Sequence, residues 1–199
     1  SSDLHTRLML SMLGPEASLP LVLSVLFHDL GKPATRAVDE TGRIRFNGHE
    51  GVSAGMSLRI LQRLRFSNDV IDAVIPSVRL HMSFKDVPNM RIATLKRMMA
   101  RPTFEDELEL HRVDCLASHG MLDNHALLIA KREEFGREPL IPPPLITGND
   151  LISLGWKPGP DFADILREAQ TRQLEGSLTS REETLDWVRN RDGGKTSSP

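Results

Sequence analysis

Seven histidines occur among 199 residues, at positions 5, 28, 49, 81, 111, 119 and 125. His28 is followed directly by Asp29, and the pair closes an apolar run from Leu21 to Phe27 before Gly31, Lys32 and Pro33. Burying an imidazole and a carboxylate at a helix end is costly unless they pair or coordinate a metal. For two residues alone, either outcome is open. His5, His49, His81 and Asp114 stand on other segments whose pattern reads as helical and buried. The candidate ligands His5, His28, Asp29, His49, His81 and Asp114 thus come from five helical segments, as in metal sites built inside helical bundles. Imidazole with carboxylate suits divalent Mg, Mn, Fe, Ni or Zn better than a soft, thiophilic metal. With Asp29 bridging, the set could hold two ions about 3.5–4 Å apart, the spacing of two-metal hydrolysis; a subset would hold one.

Taken singly, each residue also has a plain reading. His5 reads as a partly exposed helix residue, His49 as a first-turn residue and His81 as a C-terminal residue favoured by the helix dipole. Asp114 reads as a partner for Arg112 or a nearby Arg. His111, His119 and His125 read as surface or structural. Residue types alone do not assemble the six.

The elements that must position these side chains read as all-α with one small hairpin. Leu4, Leu8, Leu10, Met12 and Leu13 predict a first helix stopped by Gly14-Pro15, with His5 on or beside its buried face. A second, over about residues 19–30, carries His28-Asp29; Gly31 would cap it in a left-handed conformation and Pro33 would stop it. Alternation on either side of Asp39-Glu40-Thr41-Gly42 predicts a hairpin or extended loop. Val52, Met56, Ile60 and Leu64 recur every four residues, which predicts an amphipathic helix opening at Gly48-His49-Glu50. Ser67 is the expected N-cap of the next, which contains Pro76 and ends near His81. Further helices are expected over about 90–100, 104–118 and 124–135. Pro142-Pro143-Pro144 is a stiff connector. It divides an expected domain over 1–138 from a tail of short helices over 139–191, with a disordered end over 192–199. Thr147 to Asp150 would cap one tail helix, and Thr179 with Glu182 has capping-box spacing before the last.

Composition narrows the function. The formal net charge is −2, so bulk charge does not make this a polyanion binder, and the absence of Tyr leaves little aromatic surface for base stacking. The single cysteine, Cys115, excludes an internal disulfide framework and fits a reducing cytoplasm. There is no signal-peptide pattern and no apolar run of the roughly 20 residues needed to span a bilayer. The early onset of the first helical pattern suggests an excised piece of a longer protein.

The order His5, His28-Asp29, Asp114 resembles the HD superfamily of metal-dependent phosphohydrolases, and His49 and His81 resemble the extra histidines of its two-metal branch. Closer still, residues 26–36, Phe46-Asn47-Gly48-His49-Glu50, residues 61–68 and 110–120, with Leu145-Ile146-Thr147-Gly148-Asn149-Asp150-Leu151 and Lys157-Pro158-Gly159-Pro160, resemble the HD region and tail of bacterial CCA-adding enzymes and poly(A) polymerases. The resemblance covers about residues 4–190. It implies an HD-domain helical bundle with a C-terminal helical extension, and one or two divalent ions held by the six candidate ligands. It further implies 2′,3′-cyclic phosphodiesterase, 2′-nucleotidase and phosphatase activity on nucleotides or RNA ends. Asp29 would be the central catalytic group, and Lys32 would add positive charge at the phosphate. The family's nucleotidyltransferase head, with its Gly-Ser loop and paired aspartates, is not in this sequence, so the chain by itself would not add nucleotides.

A second function is a binding scaffold for tRNA or other RNA. Residues 51–68 hold Arg59, Arg63 and Arg65 with no acid, and residues 87–102 hold Arg91, Lys96, Arg97 and Arg101 with no acid. Arg59 and Arg63 share a helix face, as do Lys96 or Arg97 with Arg101. Such patches can contact RNA phosphates at near-zero net charge. Solvated helix faces would look the same.

Overall fold

The computed structural model describes residues 2–136 and 139–191. The expected disordered end over 192–199, and residues 137–138 of the expected first domain, lie outside them. The described chain is helical apart from one two-stranded hairpin. In order, the elements are α1 (Ser2–Ser11), α2 (Leu19–Phe27), α3 (Lys32–Thr35), β1 (Ala37–Val38), β2 (Ile44–Arg45), α4 (His49–Arg63) and α5 (Asn68–Leu80). A 3₁₀ segment over His81–Asn89 leads to α6 (Ile92–Met99), α7 (Phe104–Ser118), α8 (Asp123–Phe135), α9 (Gly148–Ser153), α10 (Pro160–Leu174) and α11 (Arg181–Arg189). The strands pair antiparallel, Ala37 opposite Arg45 and Val38 opposite Ile44. None of the described helices is long and apolar enough to cross a membrane.

The chain forms two compact units. One holds the residues up to Asn89 together with Arg101–Glu134; the other holds Met90–Ala100 and the residues from Phe135 on. In the first unit α2 is the central element. Ser18 caps it by accepting from Leu21 N at 3.0 Å. Leu23 packs with Ala54 and Leu61 of α4 and with Ile71, Val74 and Val78 of α5. Leu21 and Val25 pack with Met9 of α1 and with Leu110 and Val113 of α7. Because α2 belongs to both clusters, its C-terminal end is delivered between α4 and α5 on one side and α1 and α7 on the other. In the second unit, Ile146, Leu151, Ile165, Ala169 and Val188 form a separate core. There α6 meets α10 through Arg97, which donates to Thr171 Oγ1 at 2.8 Å, and Lys96, which donates to the Leu174 carbonyl at 3.3 Å.

Several local expectations need correcting. Gly31 is right-handed, at φ −79°, and Pro33 helps open α3 instead of stopping a helix. The reason for glycine is close approach. A Cβ there would lie 2.4 Å from the His49 carbonyl oxygen and 2.8 Å from Ser53 N. Gly31 N instead donates to Ser53 Oγ at 2.8 Å, locking the end of α2 to α4. The stripe Val52, Met56, Ile60, Leu64 is not the buried face of α4; His49, Ser53, Ala54, Ser57 and Leu61 are. Small residues occupy that face because α2 and α3 lie so near. In α1, Leu4 and Leu8 are exposed and Met9 is buried. The last capping box is one residue later than its predicted position: Ser180 Oγ accepts from Glu183 N, and Glu183 caps in return.

Candidate metal centre

Three histidines are oriented by the same device. His28, His49 and His81 each place Nδ1 against the backbone carbonyl three residues earlier: Val25 at 2.9 Å, Phe46 at 2.8 Å and Val78 at 2.7 Å. A carbonyl can only accept, so Nδ1 carries a proton, and in the neutral ring Nε2 keeps its lone pair. All three rings are buried, and their Nε2 atoms turn inward. For His28 and His81 the carbonyl belongs to the last turn of the preceding helix. For His49 it belongs to the bend at Gly48, whose φ of 77° suits glycine.

Asp29 stands between them. Its Oδ2 lies 3.3 Å from His28 Nε2 and accepts from Lys32 Nζ at 2.6 Å; its Oδ1 lies 3.3 Å from His49 Nε2. His49 Nε2 and His81 Nε2 face each other at 3.2 Å. Two lone pairs at that distance repel unless a proton or a cation lies between them. His5 Nε2 reaches Asp114 Oδ1 at 3.0 Å, and that oxygen is 3.8 Å from His28 Nε2. Asp114 therefore faces His5, while Arg112 pairs with Glu109. The donor atoms fall into two triads sharing one carboxylate: His5, His28 and Asp29, and Asp29, His49 and His81, with all donors of a triad within 4.8 Å of one another. Asp114 flanks the first.

The electrostatics follow from the packing. Burial disfavours ionised Asp29, but His28, His49 and Lys32 overcome this and hold its pKa far below the carboxylate range. Burial likewise opposes charge on His28, yet Asp29 prevails and raises its pKa; the Asp29 contact raises that of His49 as well. His81, desolvated and beside two other imidazoles, is pushed down to about 4. His28 Nε2 and Asp29 Oδ1 are buried with no aligned hydrogen-bond partner. Buried donor atoms left in that state, one carboxylate among hard-to-borderline nitrogen ligands, fit a divalent cation of the Mn, Fe, Ni, Zn or Mg group.

His111 lies apart from these triads. Its ring stacks on Phe84 at 4.9 Å and 15°, beside Cys115 Sγ. Among the basic candidates, Arg59, Arg63 and Arg65 are exposed near the end of α4. Arg101, in contrast, pairs with the buried Glu107 at 2.6 Å, and Lys96 and Arg97 are engaged with α10. Sequence reasoning missed Glu107: an acid in the first turn of α7 reads as a dipole partner, and only its burial shows otherwise. It also assigned no role to Arg7, Arg36 and Phe46, which line a cavity beside Asp29.

A helical domain with a buried two-triad His/Asp donor cluster is the class of protein defined by fold and site. The chain is similar to the CC-adding tRNA nucleotidyltransferase of Thermus thermophilus, 34% identical over 194 residues that cover 94% of this chain and 44% of that protein. It is 30% identical over 186 residues to the A-adding tRNA nucleotidyltransferase of Deinococcus radiodurans, covering 87% of this chain and 42% of the relative. A multifunctional CCA protein of Burkholderia mallei is 36% identical over 84 residues, 42% of this chain and 20% of its own length. The chain thus spans less than half the length of the curated relatives it matches. No protein-family model and no solved structure matches it.

Proposed function

We propose that this chain is an HD-type metal-dependent phosphohydrolase region of a tRNA nucleotidyltransferase-like protein. In this reading it acts as a 2′,3′-cyclic phosphodiesterase, 2′-nucleotidase or phosphatase on nucleotides or RNA 3′ ends. The observation that carries the reading is the shared-carboxylate arrangement: Asp29 offers one oxygen toward His28 and the other toward His49, with every inner ring held by a backbone carbonyl. His5, His28 and Asp29, with Asp114, would hold one ion; Asp29, His49 and His81 would hold a second. When bound, such ions lower the pKa of water and stabilise charge on phosphoryl oxygens. The chain's own contribution is orientation. The Nδ1 contacts fix three rings, Gly31 holds the α2 end against α4, and Lys32 places a positive charge on the adjacent cavity wall. A cytoplasmic setting belongs to the same reading, supported by the free Cys115. The nucleotidyltransferase head would lie in sequence beyond this chain, in keeping with the share of the relatives it spans. Hydrolysis of a 2′,3′-cyclic nucleotide, a 2′-nucleotide and a simple phosphomonoester, with each divalent ion and with chelator, tests this. Metal-dependent turnover is expected; no turnover with any ion would overturn it.

One observation favours a second reading, an RNA-binding scaffold with tRNA as partner. Arg59, Arg63 and Arg65 are exposed and have no ion-pair partner among the described residues. Relatives named as tRNA nucleotidyltransferases make tRNA the natural ligand to test. Replacing Arg59 and Arg63 with Ala should then weaken tRNA binding and flatten its salt dependence. Lys96, Arg97 and Arg101 should matter less, because each already has an intramolecular partner.

A further inference from the structure

The donor cluster borders a cavity of about 1000 Å³ in the first unit, and both His5 and Asp29 are part of its wall. That volume far exceeds one phosphate and lies at the upper end of small-molecule sites, roughly 300–1,000 Å³. The lining is chemically divided. Arg7, Lys32 and Arg36 supply three cations against two carboxylates, Asp3 and Asp29. Lys32 is engaged by Asp29 at 2.6 Å. Arg7 and Arg36 are exposed and have no ion-pair partner among the described residues. Phe46, half-buried, adds a flat apolar face, with Lys32 Nζ 5.9 Å from its ring centroid.

Guanidinium groups bind phosphate through paired, charge-assisted hydrogen bonds, and aromatic faces stack bases. Resting on the phosphohydrolase reading, we propose that Arg7 and Arg36 form a second anion subsite. The phosphoester presented to the Asp29 cluster is carried on a nucleotide chain whose next phosphate lies on these two guanidiniums, with a base against Phe46. The favoured substrate is then an RNA end bearing at least two phosphoryl groups, in preference to a free mononucleotide. Two features support a second subsite. Lys32 is committed to Asp29, and Arg7 and Arg36 line the same cavity with no ion pair of their own among the described residues.

The test is equilibrium binding to metal-loaded protein, with metal content measured on the same samples. Two probes are compared: adenosine carrying a 2′-methylenephosphonate, and adenylyl-adenosine carrying the same uncleavable group at its terminal 2′ position. The wild-type protein is expected to bind the dinucleotide at least tenfold more tightly. Arg7→Gln and Arg36→Gln should each reduce that preference, and the double variant should abolish it. Both side chains are exposed, so the fold should survive, and circular dichroism checks this. Equal affinity for the two probes in metal-bearing wild-type protein would overturn the subsite and leave the metal centre standing. So would a preference that persists in the double variant. Protein that takes up no metal and binds neither probe would overturn both.

Discussion

His28, His49 and His81 differ from His111 although all four belong to helical segments of the same unit. The first three donate Nδ1–H to a carbonyl three residues back and turn Nε2 toward Asp29. His111 lies mid-helix on α7, where the backbone carbonyls are engaged within the helix, and its ring stacks on Phe84. Burial lowers its pKa, whereas Asp29 raises those of His28 and His49. A histidine at a helix end finds a backbone acceptor for one nitrogen and is left with an aimed lone pair. A histidine in mid-helix is packed as an aromatic plate. Position relative to the helix terminus, more than the residue type, separates the two groups.

The largest disruption should come from closing the gap between α2 and α4. In Gly31→Ala the new Cβ meets two backbone atoms that cannot swing aside. Overpacking of this kind costs about 1–3 kcal/mol. Thermal unfolding should show the loss, and metal uptake should fall because His28-Asp29 is pushed away from His49. Unchanged uptake would mean that the α2–α4 contact does not set the cluster.

Next in size is His81→Ala, which removes a donor from one triad only. It should cost at least tenfold in affinity for one ion and lower the stoichiometry by one, while the His5 side of the cluster persists. Titration with a metal-responsive dye reads both. Loss of all metal would contradict two separable triads.

Acidity should separate the histidines in graded fashion. A raised folded-state pKa for His28 and His49 means that protons compete with a cation over a range extending above 6.5. Apparent metal affinity should fall as pH is lowered through that range, by about tenfold per unit for each proton displaced. Without metal the sign reverses. The stabilisation from charged His28 and His49 beside Asp29 is fully present below the unfolded value near 6.5 and is lost as pH rises through their folded-state pKa values. Denaturant titrations of metal-free protein at several pH values check it.

The smallest effect belongs to His111→Ala. Losing the stack on Phe84 should cost about 0.5–1.5 kcal/mol beyond the area lost, with metal content unchanged. A drop in bound metal would erase the distinction between the two groups.

The helix order, the hairpin and the cap at Ser67 were legible because local periodicity and turn chemistry encode them. The anchoring carbonyls of Val25, Phe46 and Val78 were not, since any residue can supply a carbonyl. The buried face of α4 was misread for a similar reason. Ser53, Ala54 and Ser57 carry no hydrophobic signal, and their burial is dictated by the nearness of Gly31, a tertiary fact. Arg101 read as a free cation because Glu107 looks like any first-turn acid until α7 is packed. Patterns that repeat along a helix are visible in sequence; contacts where two backbones nearly touch are not.

The most direct measurement is the metal content of protein purified without added metal, for wild type and Asp29→Ala, with circular dichroism as the folding control. Asp29 is shared by both triads, so wild type should retain one to two divalent ions per chain and Asp29→Ala essentially none at unchanged helicity. A well-folded Asp29→Ala protein that keeps its metal would contradict the account.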